Sequence, residues 1–331
     1  MPIAPDWLYG SDLPFAVLCA AFALDALAGG LPGVSVLLNL PAAAGGWIAG
    51  WADRPLNPPT RSARSPRTRR ALIFLILLPA AAFAGLQAAS LCRSVADGWI
   101  LETLFVAMCV GLQRPLLTAG TVRRAVSRAA MERARAALGT AVRYDTATVD
   151  EHALARGSVE LFAVRLCDGL VGPVFWYLAA GLPGLFVYRA IGGAADLLAC
   201  RTERHAAFGA AAAALDRLAN LLPAPATGAL IAFASLFSPT ARPLAALRGM
   251  IAGAGVGRLP REGWTMGAVA GSLGLCLAGP RRRDGKLSPA AWIGEGRARA
   301  TPGDILRAMW LYAISGFIGL VPLVLLALVA G

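Results

Sequence analysis

With 331 residues the chain can build a sizeable core, yet only 15% of it is charged while 57% is hydrophobic, and its mean hydropathy is +0.61. Soluble domains carry about 25% charged residues, so the composition excludes an ordinary soluble globular protein and indicates an integral membrane one. The net charge of +12 does not imply a nucleic-acid partner, because the basic residues fall between apolar runs, where orientation signals lie.

Apolar segments are predicted near 14–31, 34–51, 71–92, 99–120, 168–187, 224–238, 264–279 and 309–330, separated by Pro, Gly and Arg. Two runs without charge, Leu72 to Leu91 and Met309 to Ala330, are long enough to cross roughly 30 Å of hydrocarbon. The N-terminus has Asp6 and Asp12 rather than a basic lead, and Asp25 interrupts the first apolar run, so no cleavable signal peptide is expected. Loop charge sets orientation. The stretch 52–70, with Arg54, Arg61, Arg64, Arg67, Arg69 and Arg70, is expected on the cytoplasmic side, and the tight turn Arg93 to Asp97 outside. An insert of about 121–166, with Arg123, Arg124, Arg128, Arg133 and Arg135, reads as a cytoplasmic amphipathic helical pair.

Basic residues flank both 168–187 and 264–279, which a simple crossing does not allow, so re-entrant or membrane-surface helices are expected there. Neither β-barrel alternation nor an internal repeat is evident. The predicted fold is all-α: a polytopic helical bundle in one membrane domain, 1–331, with cytoplasmic amphipathic helices.

Several chemistries are excluded. Lysine occurs once, and Asp284-Gly-Lys286-Leu-Ser lacks the Gly-Lys-Ser/Thr of a phosphate-binding loop. The cysteines at 19, 92, 109, 167, 200 and 276 show no metal-knuckle or redox spacing and read as small apolar packers. His152 and His205 are too few for a histidine metal site.

What remains is a series of polar residues from Asp145 to Gly209 set in apolar sequence, where charge is expensive and usually functional. Glu160 and Asp168 are eight residues apart; on a continuous helix that is two turns plus about 80°, so both can line one groove. Paired carboxylates suit Mg²⁺ held with substrate phosphates; the plain alternative pairs Glu160 with Arg156 or Arg165 on a solvated face. Arg201, Arg204 and His205 share a helix face, with Glu203 off it, and can clamp phosphate or snorkel to headgroups. Asp216 and Asn220 lie four apart and can add oxygen ligands or satisfy polar needs between helices; Trp264 can anchor at the interface or form a stacking wall.

The order of these motifs resembles the adenosylcobinamide-phosphate synthase family of cobalamin biosynthesis (CobD/CbiB type). The resemblance rests on Asp25 with Gly29-Gly-Leu-Pro32, Asp145-Thr146, Val159-Glu160 and Asp168-Gly-Leu-Val-Gly-Pro-Val-Phe-Trp176. It continues through Gly181-Leu-Pro-Gly184, Tyr188-Arg-Ala-Ile191, Arg201-Thr-Glu-Arg204, Phe208-Gly209, Asp216 with Asn220, and Gly263-Trp264. It implies joining an aminopropanol phosphate to adenosylcobyric acid through an amide bond, with ATP and Mg²⁺, on the cytoplasmic side of the plasma membrane. On that resemblance Glu160, Asp168 and Asp145 are candidate catalytic groups, Glu160 and Asp168 candidate Mg²⁺ ligands, and Tyr188, Arg189, Arg201, Glu203, Arg204, Asp216, Asn220 and Trp264 candidate substrate or phosphate binders. The implied partners are the corrinoid, the aminopropanol phosphate and the bilayer, with a homo-oligomer left open. A catalytically altered paralogue, serving as membrane scaffold or sensor, is the alternative; a transporter ranks third.

The chain also departs from the family pattern. A Glu-Asn pair is expected where Val164 and Arg165 stand, and an Asn where Arg261 stands. Asn-Thr is replaced by Gly192-Gly193, Asp-Ser by Ala195-Asp196, a second Asp after Asp216 by Arg217, and a His-Pro by Leu40-Pro41. Amides and carboxylates are lost and arginines gained, which weakens a metal site and strengthens anion binding.

Overall fold

A computed structural model describes residues 8–11, 13–30, 67–142, 144–198, 206–256, 259–283, 286–288 and 290–330. The expected segment 34–51, most of the basic stretch 52–70 and Leu40-Pro41 lie outside the described residues. Among the described residues the architecture is helical, with four very short strands: α1 (Pro14–Ala28), α2 (Arg67–Ser94), α3 (Gly98–Ala107), α4 (Gln113–Ser127), α5 (Met131–Gly139), α6 (Glu151–Leu166), a π turn (Cys167–Val171), α7 (Gly172–Leu198), α8 (Ala206–Ala219), α9 (Pro223–Ala234), α10 (Pro243–Gly253), α11 (Pro260–Leu273), β1 (Leu277–Ala278), β2 (Arg281–Arg283), β3 (Lys286–Ser288), β4 (Trp292–Ile293) and α12 (Pro302–Ala330). Among the described residues three stretches are long and apolar enough to cross a membrane: Phe74–Ser94, Glu151–Asp196 and Pro302–Val329.

The chain divides into two compact units, interleaved in sequence: 1–111 with 172–219 and 322–331, and 112–171 with 220–321. In the first unit α2 packs along α7 and α1 against α3. Gly85 of α2 lies against Pro183, where a β-carbon would strike the proline backbone. α7 is broken inside its span: Ala180 (φ −147°, ψ 21°) and Gly181 (φ 60°, ψ −154°) leave helical geometry. Gly181 is required there, because its φ is positive and a side chain would meet the carbonyl of Leu8. The N-terminal segment docks at this break. Tyr9 Oη donates to the Leu178 carbonyl (2.6 Å), and Arg93 Nε donates to the Tyr9 carbonyl (2.7 Å). Glu102, fully buried, accepts from Gly10 N–H (2.8 Å), Ser11 Oγ (2.6 Å) and Tyr177 Oη (2.8 Å).

In the second unit α10 and α11 pack backbone against backbone. A β-carbon on Gly249 or Gly253 would strike the carbonyls of Gly267 or Gly263, and one on Gly267 the carbonyl of Gly249. This seam explains the glycine-rich sequence at 264–279, as small residues let helices approach closely. The expected apolar segment is therefore not one element: α11 stops at Leu273, with Gly274 in the left-handed conformation (φ 67°), and the chain continues into β1. β1 pairs antiparallel with β4 (Leu277↔Ile293), and β2 with β3 (Arg282↔Leu287).

The stretch 121–166 is also rearranged relative to an amphipathic pair. It comprises the end of α4, then α5 and α6, with Asp150 capping α6 by accepting from Ala153 N–H (2.7 Å). α6 is buried through Leu154, Ala155, Gly157, Ser158, Val159, Leu161, Phe162 and Ala163, and belongs to the apolar stretch Glu151–Asp196. Its small and apolar residues encircle the helix rather than forming a stripe.

Candidate functional site

Most of the acidic candidates sit in the second unit, beside the π turn. Glu160 is 3% exposed on α6. Its Oε1 accepts from the Ala278 N–H (2.7 Å), and its Oε2 is ion-paired with the Arg281 guanidinium. Arg156, one turn earlier, holds its Nε 3.9 Å from the same carboxylate while donating to the Ala298 carbonyl (2.9 Å) and stacking over Trp292, 5.0 Å from the ring centroid. Glu160 thus pairs with Arg156, yet in a buried setting rather than on a solvated face, and Arg281 is the dominant partner. Arg281 lies over the Tyr144 ring, 4.5 Å from its centroid. Burial alone would lower the pKa of Arg281, but the facing Glu160, with Tyr144 and Glu262, raises it. Burial, reinforced by Glu160 against Arg281, pushes the Tyr144 phenol up to about 12.

Glu160 is where the strand-bearing segment attaches to α6. Ala278 has a left-handed backbone (φ 61°), uncommon for a residue with a side chain, and its N–H is the donor that Glu160 receives. Asp145 joins from the other side, its backbone N–H donating to the Arg282 carbonyl (3.0 Å).

Asp168 occupies the π turn, so the path from Glu160 to Asp168 is not a continuous α-helix. π turns widen the helix by one residue and frequently mark functional positions. Asp168 is 7% exposed, and its Oδ1 lies 3.1 Å from Nε of Arg261 on α11. Arg261 is 1% exposed and, among the described residues, the largest of the fully buried side chains. Next to Asp168, Cys167 Sγ donates to Asn220 Oδ1 (3.5 Å). Asn220 lies in the turn after α8 rather than on that helix with Asp216. Trp264 is half-buried on α11.

Tyr188, Arg189 and Asp216 belong to the first unit and are buried. The Tyr188 hydroxyl abuts Gly172, where any side chain would collide with it. Beside Tyr188 lies an apolar cavity of about 300 Å³ bordered by Ala82, Trp176, Pro183, Val187 and Leu215. Trp176 satisfies its indole N–H on the Ala219 carbonyl (2.9 Å), so the cavity presents mainly hydrocarbon and ring surface. Arg201, Glu203 and Arg204 lie outside the described residues.

Among the described residues no three His, Cys, Asp or Glu side chains converge as a metal site. Glu160 and Asp168 are each engaged by arginine. Mg²⁺ demands near-octahedral oxygen donors, so these residues do not fit a resident Mg²⁺.

Residues 18–312 match the family described as CobD/Cbib protein. The chain belongs to the CobD/CbiB family. Cobalamin biosynthesis protein CobD of Brucella melitensis is 31% identical over 304 residues, spanning 91% of this chain and 93% of its own length. The CobD of a Sinorhizobium species is 33% identical over 301 residues (89% and 92%), and that of Rhodobacter capsulatus 37% over 179 residues (54% and 55%). No solved structure matches the chain.

In this CobD/CbiB chain, the sequence singles out Glu160 and Asp168, and Arg156 as a partner of Glu160, but neither Arg281 nor Arg261 as a partner. Arg281 sits 121 residues from Glu160 inside an Arg-Arg-Arg run that reads as an orientation signal. Arg261 stood out only as a departure from the family pattern. Tyr144 was overlooked beside Asp145, and Glu102, a lone acid in an apolar run, carried a signal of its own.

Proposed function

We propose that this chain acts in cobalamin biosynthesis, at the ATP-dependent ligation of an aminopropanol phosphate to adenosylcobyric acid, giving adenosylcobinamide phosphate. The observation that carries this is the near-full-length likeness to proteins named for cobalamin biosynthesis, over 91% of this chain and 93% of the B. melitensis protein. The acid's carboxylate attacks the γ-phosphorus of ATP, forming an acyl phosphate and releasing ADP. The amine then attacks the acyl carbon, phosphate leaves with the C–O electron pair, and the amine surrenders a proton to a base.

The chain's own residues support these tasks at separate places. Arg189, Arg201 and Arg204 are the phosphate binders, since guanidinium forks match phosphate oxygens. Asp168 is the acidic group for proton handling, charge-balanced by Arg261; Glu160 and Asp145 are the further catalytic candidates, Glu160 holding Arg281 over Tyr144 and the Asp145 N–H bonding the Arg282 carbonyl. Tyr188, Asp216, Asn220, Glu203 and Trp264 contact substrate in this proposal, with the apolar cavity beside Tyr188 taking part of the corrinoid's hydrocarbon periphery. The reaction takes place on the cytoplasmic side of the plasma membrane, where the Arg-rich loops lie under the positive-inside rule.

The test is direct: purified protein receives ATP, adenosylcobyric acid and aminopropanol phosphate, and ADP release and the amide product are measured. Folded protein that neither binds ATP nor forms product favours the second reading, a paralogue serving as membrane scaffold or sensor. That reading draws on the arginines engaging both candidate carboxylates. In a cobinamide-requiring host, Arg201→Glu is expected to abolish rescue while membrane insertion persists; unchanged rescue removes Arg201 from the site.

A further inference from the structure

We propose that Arg261 serves as the built-in counter-cation of Asp168, filling the role that a divalent ion plays in a carboxylate metal site, and so closes Asp168 to metal. The inference does not depend on the proposed reaction; it rests on the charge and packing around the π turn.

Asp168 is almost inaccessible, and a buried carboxylate needs a compensating charge. Arg261 supplies one at 3.1 Å and is itself 1% exposed. The guanidinium is fixed from behind as well. It leaves α11 near Gly263 and Gly267, whose backbones lie against α10 with no space for a β-carbon, so the helix cannot slide to withdraw it. The neighbouring acids are engaged too: Glu160 by Arg281 and Arg156, and Glu262 by the Leu259 N–H (3.3 Å). A divalent ion would compete with a guanidinium already buried against this carboxylate, and would have to displace Arg261 to reach Asp168.

Arginine differs from a metal ion here in a way that matters. It is permanently charged, so it balances the Asp168 charge but leaves no exchangeable coordination site.

The experiment uses Mn²⁺ alone as probe, read by electron paramagnetic resonance on the purified full-length chain in detergent, without nucleotide or corrinoid. The wild type and Arg261→Lys, which keeps the charge, are expected to hold no Mn²⁺ that Asp168→Asn removes. Arg261→Gln is expected to gain one Mn²⁺ per chain, at least tenfold tighter than any wild-type binding, and to lose it in the Arg261→Gln/Asp168→Asn double variant. Stoichiometric, Asp168-dependent Mn²⁺ on the wild type overturns the proposal, as does a folded Arg261→Gln chain with no gain. Should Arg261→Gln not fold, the wild type and Arg261→Lys still decide: Asp168-dependent Mn²⁺ on either overturns it, and none on either supports it. Because occupancy is read rather than turnover, an inactive enzyme leaves the outcome intact.

Discussion

Removing the Glu160 carboxylate isolates a buried ion pair of the second unit. Glu160→Ala leaves the Arg281 guanidinium without its main partner and the Ala278 N–H without an acceptor. Breaking a buried ion pair by deleting one side typically costs about 3–5 kcal/mol. The Arg281 side chain keeps 21% of its exposure, so water reaches it in part and the lower end, about 3 kcal/mol, applies. The abandoned Ala278 N–H adds about 1 kcal/mol, for a total near 4 kcal/mol. Glu160→Gln retains the acceptor and the volume and is expected to lose about 2–3 kcal/mol. Glu160→Gln/Arg281→Met removes both charges and is expected to be less destabilised than the sum of its single variants, with a coupling of about 2 kcal/mol. Unfolding by SDS in mixed micelles, followed by tryptophan fluorescence, measures each corner of the cycle. Additive single effects, within about 0.5 kcal/mol, would refute the assignment of Glu160 as the anchor of the strand-bearing segment.

Three further outcomes are expected. The Tyr144 phenol titrates near 12 instead of its ordinary 10.0; a group whose folded pKa is raised contributes fully below the unfolded value. Stability is therefore expected to hold up to about pH 10 and to fall between pH 10 and 12, by up to about 3 kcal/mol, with Tyr144→Phe flattening that limb of the profile. Gly267→Ala drives a methyl group into the Gly249 backbone and is expected to cost about 1–3 kcal/mol as an overpacked contact, seen as earlier loss of monodispersity on heating; a neutral result contradicts the close α10–α11 seam. Val95, 49% exposed in the turn between α2 and α3, is expected to react as Val95→Cys with an impermeant maleimide added outside intact cells, and labelling only from the cytoplasmic side inverts the orientation argument.

Much of the fold could be read from hydrophobicity because lipid imposes a simple rule on length. The charge-free runs at 72–91 and 309–330 coincide with the stretches Phe74–Ser94 and Pro302–Val329. The break in α7 was less legible. Gly181 and Pro183 signal an interruption, but the sequence does not tell that the chain resumes as helix through Leu198. Likewise 99–120 reads as one apolar span, yet α3 ends at Ala107 and α4 begins at Gln113. In the site, charge in apolar sequence pointed to Glu160 and Asp168, since burying a carboxylate demands a reason. Their long-range partners were hidden because spacing rules reach only three or four residues along a helix. Arg156 falls within that reach; Arg281 and Arg261 do not. The arginines that balance the site look, in one dimension, like those that orient loops.

The carboxylate of Glu102 has a practical consequence for anyone preparing this protein. Two of its three donors, Gly10 N–H and Ser11 Oγ, come from the leading segment. Shortening the chain past Ser11, a routine step when designing expression clones, would strand an acid in an apolar interior with Tyr177 alone to satisfy it. An affinity handle is therefore better fused to the other terminus.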